Sequence, residues 1–479
     1  MARTTAARPR PALAAAALAL IAALAPSVAR AQDAPSGGTS SAAPASLSAP
    51  SPRLPAHVLE RFGTPPAIPD GPLAPALRAA VRTAFVDSME RGAWELEQVE
   101  ALNAVAASGD PRLAWLVADL MRFASGAGLN LTLTAAASEL LGIGAPVRNE
   151  WGVVTDHLIA WDVPAPPGYL DAKRAIFTRV VPGWEPLFVE GDIDWRLVSW
   201  GGVPIDDRPP GGTDVPCNCI PAADDPPVES AAEAAWLADD AIVFGITIGG
   251  ESRAYPRRIM EVREMVNDTL GGRDLAIPYC TLCGAAQAYF TDRMPEGVER
   301  PILRTSGLLI RSNKVMYDVV TRSVFDTFLG TAVTGPLRER GVALEQASVV
   351  TTTWGAWKAA HPDTTVLVEA LALGRDFDFR NGRDANGPIF PVGDVDPRLP
   401  VHEDVIGVVT ASGRPVAFQR SRAVAALSRG EAIAVENVRL VLDAGGVRAV
   451  DAAGTDLGSH EAFWFAWSQF HPGTELWSG

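Results

Sequence analysis

Residues 243–256 read VFGITIGGESRAYP, and residues 405–418 read VIGVVTASGRPVAF. In each, a hydrophobic run carrying one Gly (Gly245, Gly407) meets a Gly turn. A returning run then ends Ala-aromatic, as Ala254-Tyr255 and Ala417-Phe418. Apolar runs on either side of a Gly turn predict a β-hairpin. An apolar, helix-like stretch follows each hairpin, at 257–265 and 420–427. Two copies predict a duplicated hairpin–helix unit. This sets the expected fold class as α+β. A β-rich C-terminal domain spans 214–479, with repeat-like halves at about 214–335 and 390–479. Short runs at 274–280, 285–290, 308–310 and 315–317 extend the same texture.

Working outward, residues 57–145 change period. Apolar residues recur at three- and four-residue spacing over 73–89 and 95–107, which predicts helices. Ser108-Gly109-Asp110-Pro111 breaks the pattern, with Asp110 as N-cap and Pro111 at the first helical position. Further helices are expected at 112–123 and 131–141. Helix pairs about a Gly-Asp-Pro turn suggest an α-solenoid of the HEAT sort, an irregular bundle being the alternative. This helical domain offers a surface for a protein partner. Residues 146–213, with five Trp and many Pro, read as an irregular connector.

Residues 32–56 are Ala, Ser, Pro and Gly with few large apolar side chains, which predicts a flexible leader. Residues 1–31 read as a signal peptide: Arg3, Arg8 and Arg10, a short apolar core, then Ala29-Arg30-Ala31 before Gln32. Export to the periplasm or beyond is therefore expected. The apolar core is shorter than the roughly 20 residues a spanning helix needs, and no later stretch reaches that length.

The 479 residues are 48 % hydrophobic and 20 % charged, which excludes a disordered or fibrous chain. Net charge is −15, and removing the four Arg of residues 1–31 takes it to −19. Such acidity disfavours nucleic acid as a partner. No P-loop, dinucleotide fingerprint or G-x-S-x-G sits in its required context, so neither a nucleotide cofactor nor a serine hydrolase is expected. The six His form no metal-binding pattern, and His361-Pro362 and His471-Pro472 read as helix-terminal caps.

Four cysteines form two tight pairs, Cys217-Asn218-Cys219 and Cys280-Thr281-Leu282-Cys283-Gly284. A C-x-x-C-G turn between strands is the knuckle of zinc-ribbon sites, and the second pair would complete a Cys₄ set for zinc or copper. Export favours disulfides instead, such as 217–280 and 219–283. A third reading is redox chemistry at Cys280 and Cys283. Glu264, Asn267 and Asp268, close ahead of the knuckle, and Asp318 are candidates to orient a ligand there.

At these motifs the chain resembles the exported bacterial and archaeal proteins that share domain of unknown function 3179. The resemblance rests on Arg253-Ala254-Tyr255-Pro256, Glu264-Met265-Val266-Asn267-Asp268, Tyr279-Cys280-Thr281-Leu282-Cys283-Gly284 and Ser306-Gly307-Leu308. Asn313, Met316-Tyr317-Asp318, Trp354, Trp357, His361-Pro362 and Phe463-Trp464-Phe465-Ala466-Trp467 continue it, so it covers about 215–479. The resemblance implies a domain and no chemistry. Three positions depart from the family pattern: Arg263 replaces a His, Thr281 a Pro, and Phe325-Asp326-Thr327 a Trp-x-Gln. An active site using that His and Gln would be altered here.

Overall fold

The computed structural model describes residues 54–92, 94–124, 126–212, 215–369 and 387–479. The signal read at 1–31 and nearly all of the leader lie outside the described residues.

Helices fill the first part, among them Ala56–Phe62, Pro75–Arg82, Leu96–Ala106, Ala114–Met121 and Ala127–Leu141. Asp110 accepts the Arg112 N–H at 3.1 Å and Pro111 opens the next turn, as the sequence predicts. Helix Ala114–Met121 is buried along its whole length against the helices that follow. The span 146–213 differs from the expected irregular connector. It supplies helices Glu150–Ala160 and Tyr169–Val180 and strand Val198–Trp200. Its prolines all fall outside the two helices, where they break the chain without preventing helix, and Trp184 and Trp195 are core residues. Lys173, wholly buried, donates to Asp119 (2.6 Å), the Tyr169 hydroxyl (3.1 Å) and the Val198 carbonyl (2.7 Å). Strand Val198–Trp200 pairs with Leu303–Ile310, so helices and β-region share one core.

Both hairpins form. Ile242–Ile248 pairs with Glu251–Pro256, Asp404–Val409 pairs with Pro415–Gln419, and helices Arg257–Arg263 and Arg420–Ser428 follow. The duplication extends further. Strand Val350–Thr353, helix Trp354–Ala360 and strand Thr365–Leu367 complete unit one; His460–Phe463, Trp464–Phe470 and Glu475–Trp477 complete unit two. In each unit the first added strand joins the hairpin antiparallel and the last joins it parallel.

Equivalent side chains do equivalent work. Trp357 covers Gly245 and Trp467 covers Gly407, so closely that a Cβ would strike the ring. Each indole N–H donates to a hydroxyl at 2.9 Å, Trp357 to Thr364 and Trp467 to Thr474. His361 and His471 end the two helices and lie on those indoles, centroids 4.1 Å apart in both units. The units also meet at equivalent places, the Val349 N–H donating to the Ser459 carbonyl at 2.9 Å.

Unit one is split in the chain. The expected boundary at 335 falls inside an insertion, residues 264–349, after which the unit resumes at Val350. That insertion pairs Met265–Leu270 with Arg273–Cys280, and Leu303–Ile310 with Asn313–Asp318. Unit two carries a shorter insertion, 429–459, built on Val438–Asp443 and Gly446–Val450.

Candidate functional site

Cys280 ends strand Arg273–Cys280, and the Cys283 N–H closes the turn on the Cys280 carbonyl at 3.2 Å. Gly284 follows at φ 61°, directly beneath the Phe463 ring, so a larger residue would meet both strain and a clash. The Phe463 N–H donates to the Cys283 carbonyl at 2.8 Å, which binds the knuckle to unit two. Both thiols are free and buried, Cys280 4 % exposed. The Cys280 thiol reaches the Ser312 carbonyl at 3.4 Å.

Lys314, on strand Asn313–Asp318, acts on Cys280 through its backbone N–H and its positive charge. The ammonium pairs with the Glu264 carboxylate at 2.7 Å, both side chains largely shielded from solvent. Glu264 ends helix Arg257–Arg263 in the left-handed region (φ 52°), and its carbonyl accepts the Tyr279 N–H at 3.0 Å. Thus helix end, knuckle and facing strand converge on one sulfur.

Burial pushes both thiols up. At Cys280 that effect is outweighed by the donated Cys283 S–H, then by the Lys314 charge and N–H, and its pKa falls below 9.0. Cys283 rises well above 9.0, through burial first and then its bond to the Cys280 sulfur. Burial lowers Lys314, but Glu264 and Cys280 outweigh it and the ammonium is held charged. The two thiols are thus driven in opposite directions.

The other pair lies apart. Cys217 and Cys219, half-buried, form a disulfide with each other, so the expected bridges 217–280 and 219–283 do not form. Nor do the four sulfurs assemble as a Cys₄ set. Strand Met265–Leu270 stands between Ala223–Asp224, which follows the Cys217–Cys219 loop, and Arg273–Cys280. Among the described residues, one metal-ligand group of three or more has donor atoms all within 4.8 Å: Asp206, Cys217 and Cys219. That triplet could hold a metal ion once its disulfide is reduced. Asp206 is already engaged by Arg208 Nε and Nη2, each at 2.7 Å, and by the Ala222 N–H at 2.9 Å.

Of the four orienting candidates, Glu264 alone reaches the thiols' surroundings. Asn267 bridges Asp224 (2.9 Å) and the Leu303 carbonyl (3.0 Å). Asp268 holds Arg253 (2.6 Å) and the Tyr255 hydroxyl (2.7 Å). Asp318 accepts the N–H groups of Ile302 and Thr321 at 2.9 and 2.8 Å. These three fasten strands. Sequence reasoning missed Lys314, although the chain holds only three lysines against many arginines.

The positions that depart from the family pattern also have local partners. Arg263 donates from Nε to both Glu369 oxygens, at 2.6 and 2.8 Å, and the Thr327 hydroxyl accepts the Met316 N–H at 2.9 Å. A family model described as protein of unknown function (DUF3179) matches residues 217–458, half of the chain. The chain belongs to this DUF3179 family. No curated protein and no solved structure matches it. The DUF3179 match takes in both cysteine pairs, the hairpins of both units and unit one's insertion, and it ends within unit two's. No helix among the described residues is long and apolar enough to cross a membrane.

Proposed function

We propose that this DUF3179 domain carries a thiol–disulfide redox centre, with Cys280 as attacking thiolate and Cys283 as resolving thiol. The observation that carries the reading is the Lys314–Glu264 pair beside Cys280. A buried ammonium next to a sulfur favours its thiolate and opposes a divalent cation, so it argues for electron transfer over metal at this knuckle. In the forward direction the Cys280 thiolate, which must first be uncovered by local opening of the knuckle, attacks a small external disulfide and expels one thiolate. Cys283 then attacks the Cys280 sulfur and expels the second. The domain gains one disulfide, and the two released thiolates take up the two protons. An exported setting, as residues 1–31 imply, suits both this chemistry and the Cys217–Cys219 bridge.

The test is alkylation of Cys280 at pH 7 and a glutathione redox titration of the full chain. Lys314→Met should slow Cys280 alkylation, because it removes the positive charge that favours the thiolate. Glu264→Gln should speed it, because the carboxylate opposes the thiolate. A Cys280/Cys283 pair that neither alkylates nor oxidises reversibly would sink the proposal. The Asp206–Cys217–Cys219 triplet favours a second reading, a soft-metal site for zinc or copper(I) in the reduced chain. Stoichiometric metal retained after reduction, and lost in Cys219→Ser, would support it.

A further inference from the structure

Among the described residues, His361 of unit one has hydrogen-bond partners that its counterpart His471 lacks. The Ser252 hydroxyl lies 3.2 Å from His361 Nδ1, and Asp443 Oδ1 lies 3.1 Å from Nε2. Arg448 Nε holds the other Asp443 oxygen at 2.9 Å. One tautomer satisfies the whole chain: Nε2–H donates to Asp443, and Nδ1 accepts the serine proton. The Thr247 hydroxyl, 2.8 Å from Ser252 Oγ, can donate to the oxygen that the serine proton leaves. The repeat separates what the fold needs from what it does not. Both units stack the His on a Trp at 4.1 Å, so that contact is structural. Hairpin register places Pro415 where unit one has Ser252, so the hydroxyl is dispensable to the fold. Asp443 arrives from a different place altogether, the tip of unit two's insertion.

Ser252 and His361 also line the wall of an open cleft of about 410 Å³, together with Gly250, Leu270, Pro362 and Thr365. That volume suits a small molecule. Gly250 leaves one side of the cleft without a side chain, and a Cβ built there would meet nothing within 4 Å.

We propose that Ser252, His361 and Asp443 form a nucleophilic acyl-transfer site for small carboxylic esters. His361 Nδ1 takes the Ser252 proton as Oγ bonds to the ester carbonyl carbon. Collapse breaks the ester bond, and the departing alkoxide takes the proton from His361 and leaves as alcohol. Water then attacks the acyl-serine by the same route, releasing the acid and restoring Ser252. Asp443 orients the imidazole and offsets its transient charge.

The test treats the full chain with a fluorophosphonate probe, maps the adduct by peptide mass spectrometry, and follows hydrolysis of p-nitrophenyl acetate. The expected result is one adduct at Ser252, with hydrolysis falling at least 100-fold in Ser252→Ala and at least 10-fold in Asp443→Asn. Ser252→Ala removes no packing, so its thermal unfolding should match the parent and separate lost chemistry from lost fold. Absence of an adduct, an adduct at another residue, or equal hydrolysis by Ser252→Ala overturns the site.

Discussion

Unit two has Pro415 where unit one has Ser252, and its insertion contains no cysteine, whereas unit one's insertion holds Cys280, Cys283 and Lys314. Yet both build the same sheet, press a Trp on the same Gly, tie that Trp to the same Thr, and end the helix on the same His. Shared residues mark what the unit needs to stand. Unshared ones mark where chemistry was free to enter. The contrast also assigns a part to unit two, since its Phe463 closes over Gly284 and its Asp443 reaches His361.

The comparison can be broken most severely at the two glycines. Gly245→Ala and Gly407→Ala each drive a methyl into an indole, and each should cost about 3 kcal/mol in denaturant unfolding. Equal losses sustain the equivalence. A loss confined to one unit would end it. Gly250→Ala, with open space but φ 88°, should cost about 1 kcal/mol.

Unit two also offers a test by titration. Burial takes His460 down to about 3, with His471 adding to it, and takes His471 to about 4, both from 6.5. A base held neutral in the fold loses stability as pH falls, because the unfolded chain takes the proton first. His471 should therefore remove about 1.4 kcal/mol per pH unit between 6.5 and about 4. Burial acts in the opposite sense at Glu461, pushed up to about 7, and Asp326, pushed up to about 6. Their contribution is full at low pH and is lost as pH rises through those values. The measurement is thus the difference between parent and His471→Asn, which should flatten the acid limb. Glu461→Gln should steepen it.

The two indole acceptors sharpen the equivalence. Thr364→Val and Thr474→Val each leave a buried indole N–H without its acceptor, and each should lower stability by about 1–2 kcal/mol. Unequal values would show that the two indoles are held differently.

The hairpins were legible because Gly positions and strand period survive in the two copies. The completing strands were not. Residues 264–349 intervene, and Trp357…His361-Pro362 and Trp467…His471-Pro472 read only as capped segments. The free cysteine pair and Glu264 were legible from local spacing. Their separation from Cys217 and Cys219 was not, because it depends on which strand lies between them, a matter of register. The Ser252–His361–Asp443 chain has no local signature: its contacts join residues 109 and 82 positions apart.

The splitting of the units has a consequence for how the chain acquires its structure. Strand Glu251–Pro256 receives its outer neighbour only from Thr365, 112 positions beyond Arg253, while the matching join in unit two, Val416 to Glu475, spans 59. By the logarithmic growth of loop-closure entropy that difference is only about 0.5 kcal/mol. The more serious matter is time, because each hairpin leaves an unsatisfied strand edge open until the distant segment arrives. Such an edge invites a strand from another molecule. Unit one sets Glu251 and Arg253 along that edge, and unit two begins it with Pro415, which has no N–H to offer a foreign strand. Charged side chains in unit one and a proline in unit two thus guard each nascent sheet against association before its own last strand is in place.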